Sequence, residues 1–176
     1  MRDVVGVDLS TKNMAYTRMV YDDESAEYFG QGYCWVSTAS FSLGTDTYSP
    51  QTCLNAYNLA NEILSDEFTE LVVYLESPIV HSKFAQAVLP LGGVSGAFQA
   101  GCVGRGFEVR MVPAPSWKKT LCGNGHATKE DVKRAVEGKF PDVARHVQNS
   151  KFVQDCYDSY GVAVYGCEAE HDRQET

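Results

Sequence analysis

The sequence predicts an α/β fold: a five-stranded mixed sheet, three antiparallel strands followed by two parallel ones, flanked by helices on both faces. Three observations predict it. The N-terminal part carries three strand-like segments separated by short polar turns. Two apolar segments further on, each of strand length, are separated by a helical stretch. Beyond the proline-containing PAPS the pattern turns helical. With 176 residues and 44% apolar composition, a single domain is expected over 1–176, its core at about 3–167 and a short acidic tail at 168–176.

In order along the chain, Asp3 to Leu9 is a short apolar run that carries Asp8 near its end. Met14 to Val20 follows across a tight STKN turn, so the two read as a hairpin. The acidic patch Asp22 to Ser25 is the next turn, and an aromatic-rich strand runs from about Tyr28 to Val36. Ser37 to Ser49, rich in Ser, Thr and Gly, reads as loop. Pro50 is placed to start a helix reaching about Glu67, with Leu54, Tyr57, Ile63 and Leu64 as its core-facing stripe. Leu71 to Leu75 is continuously apolar and ends in Glu76, as a strand buried on both faces does.

A helix rich in Gly and Ala is expected from about Ser82 to Gly104, where GGVSGAFQAG invites close approach by the sheet or by a second subunit. Phe107 to Val112 returns as a strand, and PAPS breaks it. Thr128 opens a helix through a capping box with Asp131, and Val132, Ala135 and Val136 form its buried face. A last helix runs from about Phe152 to Cys167, with Val162 and Tyr165 on its apolar side.

The net charge of −8 argues at first against a nucleic-acid partner, because phosphate binding leans on Lys and Arg. The distribution reverses this. Between Arg105 and Lys151 there are ten Lys or Arg against five Asp or Glu, and the remainder of the chain holds five bases and eighteen acids. Such a segment is a basic footprint or a solvated face. The six cysteines, at 34, 53, 102, 122, 156 and 167, lack CxxC spacing or zinc-like clustering, so reduced thiols in a cytosolic setting are expected. No apolar run has the length of a membrane span, and MRDVVGVDLS lacks the pattern of a signal peptide; a cytoplasmic protein is expected.

Asp8 and Glu76 each close an apolar strand, and those ends meet if the first and fourth strands lie side by side. An Asp at a strand end also serves as a plain turn former. In QDCYDSYGVAVYG, Asp155 and Asp158 stand three apart and share a helix face that continues into Val162. Two like charges about 4 Å apart repel by roughly 4 kcal/mol at an effective dielectric near 20, and a cation reverses that sign. Oxygen-only ligands of this kind suit Mg²⁺ or Mn²⁺ and phosphoryl chemistry, two ions about 3.5 to 4 Å apart serving an in-line displacement. The bland alternative is an exposed helix start with capping acids.

The strings GVDLSTKN, VVYLESP, WKKTLCGNGHATKEDV and QDCYDSYGVAVYG, in this order, resemble the RuvC-type Holliday junction resolvases of the RNase H-like superfamily, from Asp3 to Gly166. The most specific piece is a lysine ahead of G-x-G-x-A-x-K and a helix. The resemblance implies a crossover junction endonuclease that cuts four-way and other branched DNA with Mg²⁺, or Mn²⁺ in its place, in recombination, repair or phage DNA debranching. It implies Asp8, Glu76, Asp155 and Asp158 as metal-binding catalytic carboxylates and Lys118 and Lys129 as active-site lysines that contact DNA. Lys119, Lys133 and Arg134 are then candidate backbone contacts or ordinary exposed bases. A homodimer is implied, with the small-residue helix as its packing face and two sites related by a twofold axis. The chain departs from the family where an aromatic base-stacking residue is expected three positions after Glu76: Ile79 stands there, and Phe84 is the candidate substitute. His81 and His126 lie near the motifs and are left outside the catalytic set. Two rivals remain: an inactive junction-binding or scaffold protein of the same fold, and an ATP-binding domain of the sugar-kinase type, to which VDLSTKN is also similar. Room for only one such domain weighs against the second.

Overall fold

The computed structural model describes residues 2–21, 33–44, 48–64, 71–78 and 85–174. Strands β1 (Arg2–Leu9) and β2 (Asn13–Tyr21) form the hairpin, and β3 (Tyr33–Ser42) adds to β2 antiparallel. On the other side of β1, β4 (Leu71–Glu76) pairs in parallel, and β5 (Glu108–Val112) pairs in parallel with β4. The sheet order is β3-β2-β1-β4-β5: it holds the three antiparallel and two parallel strands that the sequence predicts, and it sets the first and fourth side by side.

Strand alternation divides the interior into two cores. Val5, Val7 and Leu9 of β1, with Leu71, Val73 and Leu75 of β4, point to helices α1 (Pro50–Ile63) and α2 (Ala85–Gly104). Val4 and Tyr74 point to the opposite face, covered by α3 (Ala114–Cys122), α4 (Lys129–Lys139), α5 (Pro141–Val147) and α6 (Val153–Gln174). By the same period of two, Asp8 and Glu76 belong to the α6 face.

Three glycines let α6 lie close to what it covers. A Cβ on Gly6 of β1 would stand 2.2 Å from the Ala163 backbone nitrogen and 2.5 Å from the Ser159 carbonyl, so helix and strand meet backbone to backbone. Gly161 lies against the Trp117 ring, and Gly166 against Val4 and Tyr74. A buried chain of hydroxyls, Thr38 to Thr17 to Ser159 at 2.9 Å each, ties β3 and β2 to the same helix.

Several elements differ from the sequence pattern. The third strand runs Tyr33–Ser42 rather than Tyr28 to Val36, and residues 28–32 lie outside the described ones. Residues 37–42, expected as loop, pair with β2, their hydroxyls satisfied on the inner face and Phe41 stacked on Tyr16 at 6.0 Å between centroids. On α1 the buried positions are Thr52, Ala56, Leu59 and Ala60, while Leu54 and Tyr57 of the expected stripe are exposed. Small residues win that face because Gly101 of α2 comes so near that a Cβ there would meet Ala60 and the Tyr57 carbonyl at 2.8 Å. This supplies the close approach that the glycines of α2 call for, on one side of the helix.

PAPS breaks β5 but also starts α3, Pro113 serving as its N-cap and Gly123, at φ 75°, ending it in the left-handed conformation. The capping box of Thr128 and Asp131 is present at α4. The tail expected at 168–176 is instead helix as far as Gln174: buried Glu170 accepts a hydrogen bond from Tyr74 and pairs with Arg110, which holds the extension on the sheet. Cys53, Cys102, Cys122, Cys156 and Cys167 are free thiols, and burial pushes Cys102 up to about 12. Among the described residues no helix is long and apolar enough to cross a membrane.

The Gly6 contact yields a stability prediction. Gly6→Ala sets a methyl group against helix backbone that no rotamer change relieves, so it costs at least the roughly 1–3 kcal/mol of ordinary overpacking. At about 2–4 °C per kcal/mol for a domain of this size, the melting temperature falls by several degrees. An unchanged melting temperature would show that α6 is not seated there.

Candidate active site

Three elements bring four carboxylates together. Val7 is paired with Leu75 in the parallel β1–β4 ladder, and the next residues are Asp8 and Glu76, so both acids leave the sheet at one end and on one face. The first turns of α6, laid over β1 by Gly6, carry Asp155 and Asp158 to that end.

The electrostatics show how closely the four are coupled. Burial, then the charges of Glu76, Asp158 and Asp155, hold the Asp8 carboxyl well above the usual range, against the pull of Lys129. Burial also raises Glu76, whose Oε2 accepts a hydrogen bond from Trp117 Nε1 at 2.9 Å; Asp158 raises it further and Lys118 opposes. Asp158 is raised by burial, steadied by Gln154 Nε2 at 2.8 Å, and opposed by Lys129 and Lys118. Asp155 is raised by burial, with Asn13 Nδ2 at 3.5 Å and Lys129 opposing.

Lys118, on α3, and Lys129, at the start of α4, thus act on the acids from the loop side. The GNGHAT segment between them is shaped by its glycines: Gly123 caps α3, and a Cβ on Gly125 would meet the Pro115 carbonyl at 2.9 Å. Lys119 and Arg134 are exposed and Lys133 is half-buried, Arg134 lying 3.4 Å from Asp131. His126 is exposed. Ile79, His81 and Phe84 lie outside the described residues.

Asn13, Gln154 and Trp117, which hold three of the four acids, do not emerge from sequence reasoning. Gln154 had a signal, since it stands four residues before Asp158 on one helix face. Asn13 and Trp117 meet their carboxylates only through tertiary packing. As their side chains stand, no three His, Cys, Asp or Glu among the described residues are gathered tightly enough to hold a metal ion. The donor set is nonetheless of the hard, oxygen-only kind that suits Mg²⁺ or Mn²⁺.

The sheet order, with helices on both faces, defines an RNase H-like fold. Holliday junction resolvases share it. The chain is similar to Thermus thermophilus RuvC in complex with a Holliday junction substrate, at 18% identity and a TM-score of 0.71, covering 100% of this chain and 98% of that one. It is similar to the yeast mitochondrial Holliday junction resolvase at 17% identity and a TM-score of 0.56, covering 97% and 81%. The fowlpox virus Holliday junction resolvase is 12% identical with a TM-score of 0.57, covering 96% and 99%. No protein-family model and no curated protein matches the sequence.

Four acids with raised proton affinity make stability depend on pH in a definite direction. The folded chain binds protons more readily here than the unfolded one, so their stabilising contribution is full below the unfolded carboxylate range and is lost as pH rises through the raised folded values. Asp8→Asn removes the most strongly coupled charge. In EDTA at neutral pH it should raise the melting temperature, by about 2–4 °C for each kcal/mol of repulsion relieved, and the advantage should shrink toward about pH 4. An equal or lower melting temperature at neutral pH would mean that the acids do not strain the fold.

Proposed function

We propose that this chain is a RuvC-type endonuclease that cuts four-way junctions and other branched DNA by divalent-metal-dependent hydrolysis of a phosphodiester. The observation that carries the proposal is the gathering of Asp8, Glu76, Asp155 and Asp158 at one end of the sheet, with Lys118 and Lys129 acting on them. A protein that only bound phosphate backbone would gain nothing from four clustered, half-buried carboxylates, since negative charge in the groove weakens its affinity. The fold shared with resolvases, one of them in complex with a Holliday junction substrate, supports the same reading.

Asp8, Glu76, Asp155 and Asp158 are the residues that would hold Mg²⁺ or Mn²⁺, two ions for four acids. When bound, such ions activate a water and stabilise the leaving oxygen. Lys118 and Lys129 place compact positive charge where a scissile phosphate must lie to reach the acids. Lys119, Lys133 and Arg134 extend that positive surface along α3 and α4 toward flanking phosphates. A role in recombination, repair or phage DNA debranching follows from a branched substrate.

We assign the second subunit to the outer side of α2. Leu89 is 82% and Val103 62% exposed there, and Gly92, Gly96 and Gly104 have nothing within 4 Å of a built Cβ. A twofold pair of sites suits symmetric cutting across a four-way branch. Leu89→Lys should shift the chain toward monomer in sedimentation experiments, and an unchanged mass would place the contact elsewhere.

The direct test is cleavage of labelled four-way, three-way and linear DNA with and without Mg²⁺. Asp8→Asn should keep junction binding and lose cutting, and undiminished cutting would refute the site. Lys118→Ala and Lys129→Ala should each slow cutting roughly 10²-fold or more while metal binding persists, on the scale of losing one charge-stabilising donor. An unchanged rate would remove them from the chemistry.

A further inference from the structure

We propose that Trp117 is a positioning residue of this site, holding the Glu76 carboxylate in place and carrying the Lys118 ammonium on its ring. The proposal rests on the nuclease reading above and adds a residue to it.

Trp117 is 1% exposed and belongs to the core between the sheet and α3 to α6. A buried indole needs an acceptor for its N–H, and a backbone carbonyl is the usual kind. Here the acceptor is Glu76 Oε2 at 2.9 Å, a charge-assisted bond to one of the four site acids.

The same ring makes two further contacts with site-bearing segments. Lys118 Nζ lies 5.5 Å from its centroid, a cation–π distance. Gly161, one turn past Asp158 on α6, packs on its edge: a Cβ there would stand 2.5 Å from Cε3 and 2.7 Å from Cζ3. Trp117 therefore touches an acid on β4, a lysine on α3 and the backbone of the helix that carries the other two acids. A core residue of equal volume could fill the space. Among apolar ring side chains only indole brings an N–H to the carboxylate.

The experiment measures Mn²⁺ binding directly, by the electron paramagnetic resonance signal of free Mn²⁺, beside junction cleavage. Trp117→Phe should keep the circular dichroism spectrum of the parent, weaken Mn²⁺ binding roughly tenfold or more, and slow cutting at limiting metal, the scale of losing a partner of a metal ligand. In a Glu76→Gln background the same change should cost no further Mn²⁺ affinity, because the indole acts through that carboxylate. Additive losses would make Trp117 a packing residue and overturn the proposal, as would parent-like Mn²⁺ binding by Trp117→Phe. Should the Phe variant fail to fold, benzothienylalanine at 117, which keeps the ring shape and removes the N–H, decides on the same two criteria. A parent chain that binds Mn²⁺ yet cuts no branched DNA sinks the nuclease reading alone; a parent that binds no Mn²⁺ sinks both.

Discussion

The backbone contact between Gly6 and α6 is the constraint on which the site depends. An α-helix normally stands off a sheet by the depth of its side chains. At Gly6 that depth is removed, and the Ala163 and Ser159 backbone sits where a side chain would be. This fixes both the height and the register of α6 over β1. Asp155 and Asp158 then overhang the strand end that carries Asp8, rather than a position one turn away. Gly161 and Gly166 extend the same close seating toward Trp117 on one side and Val4 and Tyr74 on the other.

Such seating is needed because the site itself works against the fold. Each of the four acids is held above its ordinary proton affinity chiefly by burial, and Asp8 also by all three of its companions. Like charges held together destabilise the folded state, so the stabilising interactions lie elsewhere. At the far end of α6, Glu170 accepts from Tyr74 and pairs with Arg110, whose guanidinium also lies 5.7 Å from the Tyr74 ring centroid. Breaking such a buried cluster by removing one partner is strongly destabilising. The helix is thus clamped at its C-terminal half and strained at its N-terminal half, where a cation would relieve the repulsion.

The strands of the mixed sheet and the placing of Asp8 and Glu76 at strand ends were legible in the sequence from apolar patterning, a local rule, whereas their meeting hung on β1 lying beside β4, which the structure supplies. The Thr128 capping box was legible for the same reason. Residues 37–42 were not, since a run of Ser and Thr reads as loop until Thr17, itself bonded to Ser159, is seen to satisfy Thr38. Nor was the helical end of α6, because Glu170 looks like a solvated tail residue until Tyr74 and Arg110, distant in sequence, surround it. The α1 stripe was misjudged at Leu54 and Tyr57, which are exposed, while Leu64 is buried as expected: large apolar residues score as core, but beside Gly101 the helix contact is made by Ala60 and backbone. At the site, the acids were visible by type and spacing, while Asn13 and Trp117 depend on contacts that no spacing encodes.

The charge of the chain illustrates how structure redistributes a sequence-level quantity. Of the bases between Arg105 and Lys151, Arg105 donates to the Asn61 carbonyl, Arg110 is engaged by Glu108 and Glu170, Lys139 donates to the Leu121 carbonyl at 2.9 Å, and Arg145 pairs with Asp142. Arg105 and Lys139 tie helices to one another, Arg110 ties β5 to α6, and Arg145 is engaged within its own helix. Lys118, Lys119, Lys129, Lys133 and Arg134 all belong to α3 and α4, the two helices joined by the GNGHAT loop. Positive charge is therefore concentrated on one pair of helices beside the carboxylates, while the acids that set the net charge lie mostly outside that segment. A local field of this kind, and not the net charge of −8, governs how an anionic ligand meets the protein.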